Sequence, residues 1–230
     1  KEARFISVGD YIVNARELET YSDPDIKSRF LENIANEKLY VRLNQTLKQG
    51  FAEHVRKNYA SIQRILASGA SKSALVSNVR NGRYPILDAL LVAKQMGISN
   101  MQLYDSIEWI SYRKGGKKSK SAKPMHLPSN MSNFFYLAGL LLGDGHEDKF
   151  IVGKPELGSR FVEILHEIGI EPFYRNYPGR TPEISAGSKT LFAVLHALFD
   201  YSAGKKSHKI RLSRFALSVS NDCLSALLKG

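Results

Sequence analysis

Residues 136–145, with the sequence YLAGLLLGDG, constrain the fold of this chain more than any other stretch. The pattern predicts an apolar helix that carries Gly139 and Gly143 four residues apart, and therefore on one face. A helix face without side chains allows a second helix to approach backbone to backbone. We therefore expect a buried helix that packs against a partner helix at these two glycines.

A carboxylate ends this apolar helix. Asp144 directly follows Gly143 and precedes Gly145, which would place it at the floor of the helix seam. A hard cation such as Mg²⁺ binds carboxylate oxygens together with substrate phosphate oxygens. Two symmetry-related carboxylates of this kind could hold metals that act on a phosphodiester. The alternative is a buried core helix followed by an Asp-Gly turn.

Charge and cysteine content limit the classes of protein. The 33 Lys and Arg against 22 Asp and Glu give a net charge of +11, which predicts anionic partners, nucleic acid first. Cys223 is the single cysteine, so an internal disulfide framework and a Cys-based zinc site are excluded. The longest apolar run, 134–142, is far below the ~20 residues needed to cross a bilayer. We expect a cytoplasmic protein with no membrane partner.

A basic, glycine-containing run at 113–124 predicts a solvated linker. It divides the chain into an all-α part, 1–112, and a part of α+β pattern, 125–230. In the first part, one helix is predicted from Ile26 through Leu39 to Leu43. Further helices are predicted over 51–59, 61–67, 71–81, 85–96, 133–142, 156–168 and 189–198, and strands around 150–152, 171–177 and 183–186.

Residues 61–98 resemble the helix-turn-helix of phage-repressor-like domains. Gly69 and Ala70 provide the turn, and Ser71 caps a second helix that ends at Gly82. The resemblance places this second helix in the major groove of DNA. Its inward residues are predicted to be Leu75, Val76 and Val79. The predicted DNA contacts are Lys72, Ser73, Ser77, Asn78 and Arg80, with Arg83 just beyond for phosphate. The alternative is a helical bundle with a solvated polar face.

The stretch 136–145 resembles the LAGLIDADG motif of homing endonucleases and intein endonuclease domains. Residues 137–140 and the pair Asp144-Gly145 match directly, whereas Leu142 replaces the motif's first aspartate. The resemblance implies a half-domain of αββαββ layout over 125–230. It also implies that Asp144 is the catalytic, metal-binding residue, with Gly145 beside it in the metal site. Mg²⁺ or another divalent cation would be the cofactor.

A basic segment at 204–212 resembles the one that precedes the second motif in two-motif members. The resemblance implies a catalytic lysine near the scissile phosphate, for which Lys209 and Arg211 are the two candidates. Lys205, Lys206 and Arg211 would contact DNA. The alternative is a solvated basic loop. A phosphate-binding P-loop is excluded there because Phe199 stands where its first glycine should be.

Residues 223–230 resemble the opening of the second motif helix, and no second acid follows. The resemblance therefore implies one complete half, with the second supplied by the full-length chain or by a homodimer. Only residues 146–157 separate Gly145 from the next helix, which leaves room for one short strand or a stunted hairpin. His146, Glu147 and Asp148 either tune the metal site or are polar turn residues.

The predicted function is sequence-specific DNA binding with metal-dependent cleavage of double-stranded DNA, as in archaeal-type LAGLIDADG endonucleases, freestanding or in an intein. This segment alone would be inactive, and a nucleoid-associated location is expected. One alternative is a non-catalytic DNA-binding transcriptional regulator on the same scaffold. The other is an RNA-binding relative of the maturase kind, which would recognise A-form shape and 2′-hydroxyls. The target site and the role of residues 1–50 stay open.

Overall fold

The computed structural model describes residues 25–66, 71–112, 123–146, 149–176, 178–201 and 212–230. These residues form helices and two small antiparallel sheets, so the α+β class is confirmed. Residues 113–122, which make up most of the predicted linker, lie outside them. No helix in the described ranges has the length and apolarity needed to cross a bilayer.

Both parts of the chain contain helices and strands. Before the predicted linker they are α1 (Ile26–Ile34), β1 (Leu39–Leu43), α2 (Gln45–Lys57), α3 (Tyr59–Ile65), α4 (Lys72–Asn81), β2 (Arg83–Pro85), α5 (Ile86–Gln95), α6 (Asn100–Asp105) and β3 (Ile107–Tyr112). After it they are α7 (Met131–Gly143), β4 (Gly145–His146), β5 (Lys149–Ile151), α8 (Pro155–Glu167), β6 (Phe173–Arg175), β7 (Glu183–Ser185), α9 (Lys189–Phe199), α10 (Arg214–Leu217) and α11 (Asn221–Lys229).

The prediction that residues 1–112 are all-α is wrong. A three-stranded antiparallel sheet in the order β2-β1-β3 lies in this part. Leu39 and Leu43 belong to β1, where they and Val41 are buried while Arg42 between them is exposed. This alternation has the period of two that a half-buried strand requires, and it replaces the helical spacing that the two leucines also satisfy.

Local capping fixes the helix that follows the predicted turn. The Ser71 hydroxyl accepts a hydrogen bond from the Ala74 backbone N–H at the start of α4, and Gly82 ends the helix with a left-handed φ of +62°. Only glycine adopts that conformation without strain. The predicted helix over 71–81 is therefore confirmed within one residue.

The second sheet has the strand order β4-β5-β7-β6, and helix α8 covers one of its faces. Phe150 on β5 stacks on Phe161 of α8 with ring centroids 5.1 Å apart. Gly158 permits this closeness, because a Cβ there would lie 2.7 Å from Cγ1 of Val152. The strands β4 and β5 are only two and three residues long, so the short stretch after Gly145 forms a stunted hairpin.

A single hydrophobic core joins the two parts of the chain. The rings of Phe30 on α1 and Phe134 on α7 lie 5.7 Å apart. Met125 forms an isolated antiparallel bridge with Ile110 of β3, an edge strand of the first sheet, and the Tyr104 hydroxyl donates a 2.7 Å hydrogen bond to the Pro128 carbonyl. Burial raises the pKa of that hydroxyl above its ordinary value. The domain division at 113–124 stays a prediction, and the segments on either side of it are in direct contact.

Candidate functional site

Helix α11 packs against the glycine face of α7. A Cβ on Gly139 would lie 2.1 Å from the Leu227 carbonyl oxygen, and a Cβ on Gly230 would lie 2.2 Å from the Tyr136 carbonyl oxygen. Gly143 has more room, because its Cβ would lie 4.0 Å from the Gly230 oxygen. The helix that approaches α7 at these glycines therefore belongs to the same chain.

Asp144 is the exposed C-terminal cap of α7, and its backbone N–H donates to the Leu140 carbonyl at 3.1 Å. Among the described residues, no three or more His, Cys, Asp or Glu side chains come together as a metal site. One exposed carboxylate does not by itself supply the oxygens of a Mg²⁺ site, so the described residues do not fit this ion. The metal role of Asp144 and Gly145 stays a prediction. The His146 side chain and residues 147–148 lie outside the described part.

Fewer side chains of helix α4 are buried against the rest of the protein than the sequence predicts. Leu75 is buried and Val79 half-buried, but Val76 is 55% exposed, so its predicted inward position is wrong. Ser73, Ser77 and Arg80 are exposed as expected, and Asn78 is half-buried. Lys72 begins the helix. The nucleic-acid contacts of these residues stay predictions.

Arg83 lies within the packing of the first sheet. Its guanidinium lies 5.5 Å from the ring centroid of Tyr40 and 5.2 Å from that of Trp109. Its Nη2 also donates a 2.7 Å hydrogen bond to the Ser111 hydroxyl. These contacts occupy the guanidinium within the chain, which does not favour the phosphate contact predicted for it. Lys205, Lys206, Lys209 and Arg211 all lie outside the described residues.

Sequence reasoning missed an exposed aromatic and basic face on the second sheet. The register aligns Phe173 with Ser185 on β7 and Ser185 with Lys149 on β5, and it aligns Arg175 with Glu183 and Glu183 with Ile151. Phe173 is 49% exposed, Arg175 is exposed, and the Lys123 ammonium lies 4.5 Å from the Phe173 ring centroid. The members of this second-sheet face are Lys123, Lys149, Ile151, Phe173, Arg175, Glu183 and the buried Ser185. All three residues of β6 are exposed, so no alternation of buried and exposed positions could have revealed this face in the sequence.

Comparison with known proteins shows that this chain is similar to segments of three proteins named as translation factors. It is 29% identical over 233 residues to "Elongation factor 2" of Methanopyrus kandleri, a match that covers 100% of this chain and 18% of the relative. It is 27% identical over 143 residues to "Probable translation initiation factor IF-2" of Thermococcus kodakarensis, covering 58% of this chain and 12% of the relative. The protein of the same name from Methanocaldococcus jannaschii is 29% identical over 133 residues, covering 54% and 11%.

The chain therefore spans less than one fifth of the length of each of these relatives. No family model matches it. No solved structure matches it either.

These names contradict the homing-endonuclease prediction, in its freestanding and intein forms. They also contradict the endonuclease activity and the regulator and maturase alternatives. The two predicted partners, double-stranded DNA and a second LAGLIDADG half, are contradicted as well. The packing of α11 on α7 explains why the resemblance to the LAGLIDADG motif was misleading. Gly139 is required by the close approach of α11, and any helix pair packed backbone to backbone requires small residues there.

Proposed function

We propose that this chain is a separable module of translation factors and that it binds RNA through the second-sheet face. The observation that carries this proposal is the recurrence of the segment in an elongation factor and in two initiation factors. A segment that two kinds of factor share is most simply a unit that each of them carries. Translation factors work on the ribosome, a particle rich in RNA, and a cytoplasmic location follows from this.

The charge of the chain supports an RNA partner. A net charge of +11 attracts a phosphate backbone over long distances and releases its counterions on binding. Lys123, Lys149 and Arg175 bring part of this charge to one sheet face, where Glu183 is the acid and pairs with Lys149 at 3.5 Å. This face therefore combines attraction for phosphates with an aromatic ring.

The ring of Phe173 supports recognition of unpaired bases. Exposed aromatic side chains on sheets stack with splayed RNA bases, and neighbouring basic residues hold the backbone. Phe173 lies on β6, at the edge of the sheet, and half of its surface is exposed. An RNA loop could reach this ring without displacing another strand.

The finer layout of the fold is part of the same proposal. The order α7-β4-β5-α8-β6-β7 supports an αββαββ unit after the linker, and α3, α4 and α5 support a helix-turn-helix before it. The proposed function does not include nucleotide hydrolysis, because the phosphate-binding pattern G-x-x-x-x-G-K-[ST] does not occur in the 230 residues.

Fluorescence anisotropy with the full chain tests the proposal. The probes are a short RNA hairpin with an unpaired loop, the same sequence as a DNA duplex, and purified ribosomal RNA as competitor. We expect the RNA hairpin to bind about tenfold more tightly than the DNA duplex. The double variant Phe173→Ala/Arg175→Ala should remove this preference, whereas Lys94→Ala, which removes an exposed charge on α5, should change affinity by less than about twofold. Equal or tighter binding of the DNA duplex would overturn the proposal.

A further inference from the structure

A groove with a volume of about 540 Å³ lies between α2 and α4. Six of its ten lining residues are apolar, and Val76 is unusual among them because 55% of its surface is exposed on a helix. The apolar lining consists of Ala52, Val55, Tyr59, Leu75, Val76 and Val79. An exposed aliphatic floor of this kind is typical of a surface that another molecule covers.

The polar residues of the groove are basic or neutral. Lys48, Arg56 and Arg80 line it together with Gln49, and no Asp or Glu is among the ten lining residues. The acid nearest to them on α2, Glu53, accepts a 2.7 Å hydrogen bond from Lys57. That bond and the Lys57 charge hold the pKa of the Glu53 carboxyl below its ordinary value. The groove therefore combines an apolar floor with three cations.

We propose that this groove binds an acidic amphipathic helix of a partner protein. The lining runs along α2 from Lys48 to Arg56, which is eight residue steps or ~12 Å of helix. That length accommodates two turns of a bound helix, whose apolar residues would cover Val76 and Val79. Carboxylates flanking them would meet Lys48, Arg56 and Arg80.

The chemistry of the floor favours a peptide over RNA. Tyr59 is the single aromatic residue among the lining residues, and the others in the floor are aliphatic. Aliphatic side chains pack with Leu, Ile and Phe. Bases stack on rings and guanidinium groups, and the groove has only Tyr59, Arg56 and Arg80 of these against five aliphatic residues. None of the residues of the second-sheet face lines the groove, so this inference does not rest on the proposed RNA binding.

Fluorescence polarisation of the full chain with a labelled synthetic peptide tests this inference. The probe is an acidic helix with Leu at positions i, i+3, i+4 and i+7 and Glu on the other face. Its controls are a peptide of the same composition with the leucines scattered, and one with Lys in place of Glu. We expect saturable binding of the first peptide alone, weakened as salt is raised because the cations contribute.

Matched variants locate the site. Val76→Glu should weaken peptide binding about tenfold, and Arg80→Glu about fivefold. Arg64→Glu makes the same charge change at an exposed position of α3 outside the groove and should change affinity by less than about twofold. Circular dichroism verifies folding, and Arg80→Glu carries the test if Val76→Glu does not fold. The inference is overturned if the scattered peptide binds equally, if both groove variants bind like the original chain, or if the RNA hairpin displaces the peptide.

Discussion

The two small sheets of this chain use the same residue types on their outer faces in opposite ways. In the first sheet, the Arg83 guanidinium lies between the rings of Tyr40 and Trp109 and donates to Ser111. In the second sheet, Phe173 and Arg175 lie on the edge strand β6, and both are exposed. An arginine and an aromatic ring therefore serve packing in one sheet, whereas in the other both residue types are exposed.

Cross-strand contacts explain this difference, since β2 and β6 are both edge strands. In the first sheet β1 is central, and Arg83 of β2 reaches across it to Trp109 and Ser111 of β3. In the second sheet Arg175 is aligned with Glu183 of β7, which already pairs with Lys149 of β5 at 3.5 Å. The cross-strand neighbours, rather than residue type or edge position, decide which arginine and which ring a ligand can reach.

The largest expected effect concerns the support of the second sheet. Helix α7 packs against β4 and β5 and is held by α11 at Gly139. Gly139→Ala places a methyl group 2.1 Å from the Leu227 oxygen, and should lower the free energy of unfolding by about 3 kcal/mol. Urea denaturation of the full chain measures it. Gly143→Ala is the matched control, since its methyl would be 4.0 Å from the Gly230 oxygen, and it should stay within about 0.5 kcal/mol. Similar losses in both variants would show that the close approach at Gly139 does not decide the cost, since helix propensity favours Ala over Gly at both positions.

The second prediction concerns the internal arginine of the first sheet. Arg83→Ala removes two ring contacts and the hydrogen bond to Ser111, and should destabilise the chain by about 2 kcal/mol. Affinity for the RNA hairpin should not change. Arg42→Ala is the control: its guanidinium contacts Trp109 and Glu108 but is half exposed, so the loss should be below about 1 kcal/mol. Loss of RNA affinity at unchanged stability in Arg83→Ala would remove the contrast between the sheets.

The sequence predicted helices such as α4 and α7, but it missed α6, whose Ser99 and Gln102 form a capping box. Ser71 and Gly82 mark the ends of α4 in the sequence itself, and helix α7 follows from its apolar run. Strand β1 was misread because Leu39 and Leu43 satisfy both helical and strand spacing, and only pairing with β2 and β3 decides between them. The sequence likewise gave no indication that Arg83 faces rings from two other strands. The accessible face of β6 was missed as well, because all three residues of this strand are exposed and no alternation marks it.

The third prediction concerns the exposed ring of the second sheet. Phe173→Ala should lower affinity for the RNA hairpin about tenfold, because one stacked base loses its platform. The unfolding free energy should change by less than about 1 kcal/mol, since half of the ring is exposed. Phe173→Trp keeps an aromatic surface and should retain binding, which anisotropy titrations of the three proteins will measure. A stability loss as large as that of Arg83→Ala would mean that this ring, too, belongs to the packing of its sheet.

The smallest expected effect concerns the edge arginine. Arg175→Ala should lower RNA affinity about threefold, because one phosphate contact is lost among several, and it should leave stability unchanged within about 0.5 kcal/mol. The decisive quantity is the salt dependence. Losing one phosphate contact reduces the slope of log affinity against log salt concentration by about 0.7 on single-stranded RNA. Lys94→Ala removes the same charge from the exposed surface of α5 and should leave the slope unchanged. If both variants lower the slope equally, net charge rather than the position of Arg175 on an edge strand governs binding, and the contrast between the two sheets has no functional meaning.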